Sequence, residues 1–240
     1  MWVLVIAAVT AVVLLVRGWR SGRKLVEYYG IGFWYLYARL WHRWACDKEA
    51  PLPPDGPAIL VSNHTCSADP SFLTAGSSRV LSFMVAREYY HIPLVRRLLA
   101  YMRCVPVART GRDASSVRAA LRCLGEGRVV CIFPEGGLGN AGKPTALRAG
   151  KSGTALIALR SRAPVYPALI TDGPQTCEIL PAWLGPSRVR VTFGPALDLS
   201  AYLGPPINRK LIEEVNRFIM RQIAALEPRA LANRHAPSRV

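Results

Sequence analysis

Acidic residues are scarce. The 240-residue chain has 15 Asp and Glu against 31 Lys and Arg, a net charge of +16 and a sequence pI near 10.2. Such a surface attracts an anionic partner, and nucleic acid and lipid headgroups both qualify. The charge accompanies 51% hydrophobic residues and a mean hydropathy of +0.18, more apolar than a soluble nucleic-acid binder of that charge. No basic-aromatic nucleic-acid module is present, so lipid is favoured and nucleic acid is not an expected partner. The cysteines, Cys46, Cys66, Cys104, Cys123, Cys131 and Cys177, include no C-x-x-C pair and no zinc or disulfide-scaffold spacing. They read as free thiols in a reducing compartment. Histidine is rarer still, and His42, His91 and His235 do not cluster with carboxylates, so neither a metal nor a cofactor is expected. No G-x-S-x-G occurs, which excludes a serine-hydrolase elbow, and no repeat is found. The length suits one medium domain with a short appendage, and hence one active site.

Two apparent nucleotide motifs fail on context. Gly137 to Gly142 spells G-x-G-x-x-G after an apolar run, but Pro144 interrupts the helix such a site needs, and no Asp or Glu falls between Glu135 and Asp172. Gly150-Lys151-Ser152 ends like a P-loop, yet Thr145 stands where glycine is required.

Met1 to Val16 is almost unbroken apolar sequence, followed at once by Arg17, Arg20, Arg23 and Lys24. A signal peptide has the reverse order, with its positive charge first. Sixteen helical residues rise about 24 Å against a hydrocarbon core of about 30 Å, so the segment spans with Arg17 snorkelling or dips into one leaflet. The basic flank on its C-terminal side predicts a membrane protein with the remainder of the chain on the cytoplasmic side. Residues 25–44 combine Phe33, Trp34, Tyr35, Tyr37, Trp41 and Trp44 with Arg39 and Arg43, the composition of an interfacial helix; a core helix of the globular domain fits the same pattern. The stretch Pro51 to Pro57, PLPPDGP, tolerates neither helix nor central strand. It divides the chain into membrane-anchoring helices over 1–50, a catalytic domain over 51–227 and a basic tail over 228–240.

Within that domain, apolar runs at Ala58–Val61, Val80–Val85, Cys104–Val107, Val129–Phe133, Val165–Ile170 and Val189–Phe193 read as buried strands. Helices are expected at Pro93–Met102, Asp113–Leu124 (with Asp113 as N-cap and Gly125 as stop), Arg148–Arg162 and Asn208–Leu226. Alternating strand and helix argues an α/β sheet with its site at strand ends.

Chemistry concentrates at those ends. Ala58–Val61 runs into Ser62-Asn63-His64-Thr65-Cys66-Ser67-Ala68-Asp69-Pro70, with Asp69 a candidate N-cap and Pro70 at the first helical position. On a continuous helix the His64 and Asp69 side chains would point about 140° apart, whereas a loop between strand and helix can bring them together. A carboxylate on the histidine Nδ1–H would leave Nε2 free to take a hydroxyl proton. An ordinary strand-end histidine beside a capping aspartate gives the same H-x4-D. Three further segments weigh against that plainer reading: Cys104-Val105-Pro106-Val107-Ala108-Arg109, a strand ending in an always-charged fork suited to phosphate; Phe133-Pro134-Glu135-Gly136 at the end of another strand; and the proline-bracketed strand after Pro164.

These four segments in this order resemble the 1-acylglycerol-3-phosphate acyltransferase family, the lysophospholipid or glycerolipid acyltransferases, over roughly Ala58–Ile170. The resemblance implies a mixed α/β sheet flanked by helices, preceded by membrane-associated N-terminal helices. It implies acyl transfer from acyl-CoA or an acyl-carrier protein to a lysophospholipid hydroxyl, above all 1-acyl-sn-glycerol-3-phosphate, giving phosphatidic acid at a bilayer. His64 would then be the general base, Asp69 its orienter, and Arg109, Glu135 and Gly136 acceptor-site residues. The family usually continues F-P-E-G with Thr or Ser and then Arg, where this chain has Gly137 and Leu138. Lys143, Arg148 and Lys151 are the candidates to restore the missing charge, and helix-surface solvation is the alternative role for them. Another lyso-lipid, an acceptor without phosphate, and a catalytically silent membrane adaptor remain as alternatives.

Overall fold

The computed structural model describes residues 25–108, 114–138 and 147–228. The apolar run 1–16 with its basic flank, Arg109, Asp113, Lys143 and all but the first residue of the tail lie outside the described residues. Among those described, no helix is long and apolar enough to cross a membrane.

Seven strands form one sheet in the order β1-β7-β6-β2-β5-β3-β4. They are β1 (Ala45–Cys46), β2 (Ala58–Ser62), β3 (Leu81–Ala86), β4 (Val105–Val107), β5 (Val129–Ile132), β6 (Val165–Thr171) and β7 (Arg190–Phe193). Every pairing is parallel except β6 with β7, giving the mixed sheet expected. The central strands β2 and β5 are buried at every position because helices cover both faces, which is why they read as continuous apolar runs rather than alternating ones. The six strands expected from sequence are present, with ends within one residue.

Successive side chains of each strand feed opposite core layers. Leu60, Cys131 and Ile170 enter a layer covered by α1 (Leu25–Trp41), α2 (Asp69–Ala75), α3 (Pro93–Tyr101) and α6 (Ile179–Leu184). Ile59, Val130 and Leu169 enter a layer covered by α4 (Ala114–Gly125), α5 (Ser152–Ser161) and α7 (Arg209–Ala224). Helix α7 buries Leu211, Val215, Ile219 and Ile223 at helical spacing and is N-capped by Asn208, whose side chain accepts from Leu211 N–H at 2.9 Å.

Four boundaries differ from the sequence reading. The packed unit does not begin at the proline-rich stretch: Ala38, Trp44, Cys46 and Ala50 belong to the first core layer, and β1 pairs with β7. The segment carrying these residues is thus part of the packed unit, and α1 has one side in the core and the other exposed. Arg43 takes a left-handed φ of 43°, reversing the chain so that Trp44 turns inward. Helix α4 runs through Gly125, and the left-handed residue that ends the turn is Gly127, with φ 73°. Helix α5 begins at Ser152 rather than Arg148, because residues 148–151 are held extended against the turn after β5, with Lys151 N–H donating to Pro134 O at 2.7 Å. Asp69 is the first helical residue of α2 rather than its N-cap, a position held by Ala68.

His42 joins α1 to both α2 and α6. The Tyr37 hydroxyl donates to Trp183 O at 2.7 Å, so its oxygen accepts from His42 Nε2–H at 2.8 Å and Nδ1 is left to accept from the Ser187 hydroxyl at 2.8 Å. The imidazole is fully buried with its edge on Phe72, and burial lowers its pKa from the ordinary histidine value. The unfolded chain takes up this proton near pH 6.5, while the folded chain resists it until a lower pH. Stability from this group is therefore complete above about pH 6.5 and is lost as pH falls below it. We expect the urea midpoint to fall on going from about pH 7.5 to about pH 5.5, and His42→Asn to flatten that fall. An identical pH dependence in the variant would contradict the assignment.

Candidate active site

The loop between β2 and α2 is fixed at both ends. Beyond Ser62 the ladder with β6 is continued by a side chain: Asn63 Nδ2 donates to Ile170 O and Ile170 N–H donates to Asn63 Oδ1, both at 2.8 Å. At the other end the fully buried Asp69 carboxylate faces back across the loop. Its Oδ2 accepts from His64 Nδ1–H at 2.9 Å, Thr65 N–H at 2.6 Å and Cys66 N–H at 3.0 Å. Its Oδ1 accepts from the Thr65 hydroxyl at 3.0 Å and the Cys66 thiol at 3.3 Å. The loop thus closes the gap that a helix would have opened.

Phe133 stacks on the His64 imidazole, with centroids 4.0 Å apart and planes 12° apart, and is itself stacked on Phe83. The ring is therefore held in orientation by Asp69 and in plane by Phe133. The histidine side chain keeps 16% exposure, and its hydrogen bond among the described residues is made by Nδ1. Nε2 is left to serve as a proton acceptor.

Glu135 is buried and turned inward. One oxygen accepts from His64 N–H at 3.0 Å; the other accepts from Arg148 Nε at 3.1 Å. Both oxygens thus accept hydrogen bonds within the protein, and Glu135 ties the His64 backbone to Arg148. Arg148 also donates through Nη2 to Gly137 O, and Lys151 Nζ donates to Gly136 O at 3.3 Å. Gly136 has φ 69°, a left-handed backbone conformation that favours glycine at this turn. Two of the three cations considered from sequence, Arg148 and Lys151, therefore lie against the F-P-E-G turn. Arg109 lies outside the described residues, just beyond the end of β4.

The nearby thiol is no rival nucleophile. Burial first, and the Asp69 charge second, push the Cys66 thiol far up, and burial pushes Cys46 and Cys104 up to about 12. Among the described residues no cluster of His, Cys, Asp and Glu could hold a metal ion.

The sequence model of a family described as Acyltransferase matches residues 43–171, more than half of the chain and the whole of this site. The chain belongs to the Acyltransferase family. A 1-acyl-sn-glycerol-3-phosphate acyltransferase from Bacillus subtilis (strain 168) is 27% identical over 159 residues, covering 66% of this chain and 70% of the relative. Among solved structures, the 1-acyl-sn-glycerophosphate (LPA) acyltransferase PlsC from Thermotoga maritima has the same fold, with a TM-score of 0.66 at 22% identity over 91% of this chain and 88% of that one. The family model begins at residue 43, in agreement with a packed unit that starts before the proline-rich stretch.

In this acyltransferase, four positions that sequence reasoning did not single out shape the site: Asn63, Thr65, Phe133 and, as the partner of Glu135, Arg148. Asn63 and Phe133 were within reach, as a polar residue ending a buried strand and an aromatic before Pro134.

The geometry separates the roles of the dyad. His64→Ala removes a partly exposed ring and should lower turnover by about 10² to 10⁴ with little change in Tm. Asp69→Asn places an amide NH₂ against groups that are themselves donors, and should lower both turnover and stability, the latter by roughly 1–3 kcal/mol. Assays of turnover with thermal melts of both variants check this. Unchanged turnover in His64→Ala, or an unchanged Tm in Asp69→Asn, would contradict it.

Proposed function

We propose that this acyltransferase moves a fatty-acyl group from an acyl thioester, acyl-CoA or an acyl-carrier protein, to the free hydroxyl of 1-acyl-sn-glycerol-3-phosphate at a membrane surface, forming phosphatidic acid. The observation that carries this reading is the His64–Asp69 pair, in which Nδ1 makes the ring's hydrogen bond among the described residues and leaves Nε2 for the acceptor, in a chain similar to a relative named for that acceptor. His64 Nε2 removes the acceptor proton as the oxygen attacks the thioester carbonyl. The tetrahedral intermediate then collapses, the C–S bond breaks, and the departing sulfur takes the proton from the imidazolium. Asp69 stabilises the charged ring between the two steps.

The acceptor phosphate is assigned to Arg109, with the Arg148 and Lys151 cations beside the Gly136 turn in place of the arginine that the family usually has at Leu138. Membrane attachment is assigned to the apolar and basic segment 1–24, with the catalytic domain on the cytoplasmic side.

Arg109→Ala should raise the acceptor KM far more than the donor KM, by about one to two decades for the roughly 1.5–3 kcal/mol of a charge-assisted phosphate contact, and Arg109→Lys should recover part of it. Steady-state kinetics with lysophosphatidic acid and with an uncharged monoacylglycerol test the assignment. Equal use of the uncharged acceptor, together with no acceptor-specific effect of Arg109→Ala, would show that Leu138 marks an apolar pocket for an acceptor without phosphate.

A further inference from the structure

Large exposed apolar side chains among the described residues concentrate on one side of the sheet. Among the described residues, α4, α5 and α7 expose no large hydrophobic side chain, and Ile207 is alone in the loop before α7. Every other one lies on α1, α3 or α6, or at Ile92 just before α3. Helix α1 presents Phe33, Leu36 and Leu40 at i, i+3, i+7 spacing, with Leu40 77% exposed. Helix α6 presents Leu180 and Leu184, and α3 presents Leu94 and Leu98 at the same i, i+4 interval, with Leu94 78% and Leu180 69% exposed.

The rows on α1 and α6 are locked into one surface. Trp41 Nε1 donates to Leu184 O at 2.9 Å, and Tyr37 stacks on Trp183 with centroids 5.7 Å apart. Helix α3 belongs to the same core layer. Neither α3 nor α6 contains an acidic residue, and α3 exposes Arg96 and Arg97 among its leucines. Apolar rows with Arg96 and Arg97 beside them, and with Glu27 in α1 and Glu88 and Glu178 flanking α3 and α6 as the acidic residues of the same segments, suit the interface of an anionic bilayer better than a protein partner. The apolar stretch 1–16 and its basic flank lead directly into α1, so the chain reaches this layer from a membrane-seeking segment.

We propose that the α1–α3–α6 layer as a whole is a bilayer-docking face, with α3 and α6 as contacts in addition to the N-terminal attachment. This deepens the reading above and rests on it for the nature of the acceptor. Helix α2, which opens with Asp69, lies in the same layer, so docking would set the His64 loop at the rim of the membrane-apposed face, where an acceptor can pass from the leaflet to Nε2.

The test is hydroxyl-radical footprinting of the full chain with and without vesicles of phosphatidylcholine and phosphatidylglycerol, in the absence of substrate. Oxidation of α3 and α6 should fall severalfold on vesicles while that of α4 and α7 stays unchanged. Leu94→Glu/Leu98→Glu and Leu180→Glu/Leu184→Glu should each weaken vesicle partitioning roughly tenfold. Arg118→Glu/Arg122→Glu on α4 should weaken it less, despite the larger change in charge. Protection confined to α1, or an equal loss in the α4 variant, would overturn the docking face. So would protection that appears without vesicles as protein concentration rises, since a second copy of the chain would then cover it. Because partitioning is read without turnover, acyl transfer to a dispersed acceptor in detergent stands or falls separately.

Discussion

Five donors from three consecutive residues, His64, Thr65 and Cys66, converge on the buried carboxylate of Asp69. A carboxylate withdrawn from water is stable only when its lone pairs are met by donors, and here the loop that meets them is the one that carries the histidine. The need to satisfy Asp69 therefore shapes the loop, and the loop shape places the imidazole. Asn63 ties the same loop to β6, and Glu135 ties the His64 backbone to the turn after β5. The site is thus assembled from the ends of three neighbouring strands, β6, β2 and β5, where a largely parallel sheet brings loops together.

The two faces of the sheet have different surfaces over similar cores. Helix α7 meets solvent with Glu213, Glu214 and Arg217 outside its buried row, the arrangement of an ordinary amphipathic surface helix. Helix α1 instead has apolar residues on both its buried and its exposed sides, which is why its pattern fitted both an interfacial and a core helix in the sequence; the structure shows its core side. The basic composition fits either face, and the direction of the apolar side chains is what distinguishes them.

Much of the fold was legible because buried parallel strands need uninterrupted apolar runs, and a run such as Val129–Ile132 has few other uses. The His64–Asp69 pair and the F-P-E-G turn were legible as chemistry at strand ends. What escaped depends on tertiary closure. Strand β1 is two residues long, and α6 is a six-residue helix containing Pro181, so neither carries enough sequence for a periodic signal. The pull of Arg148 toward Glu135 crosses thirteen positions and delays the start of a predicted helix, because a buried carboxylate beside the histidine loop outweighs one more turn of helix. Glu135, expected as an acceptor-site residue, turns its carboxylate onto the His64 backbone and Arg148, a contact that depends on which way the side chain leaves the strand end.

The central claim is that the His64–Asp69 pair acts as a base on the acceptor, with transfer in a single complex. Intact-protein mass measured after mixing the enzyme with labelled acyl thioester but no acceptor tests this directly, read together with initial rates as both substrates are varied. The account predicts an unmodified protein mass and intersecting, sequential kinetics. A stoichiometric acyl-protein adduct with parallel, ping-pong kinetics would contradict it and require a nucleophile in place of the proposed base.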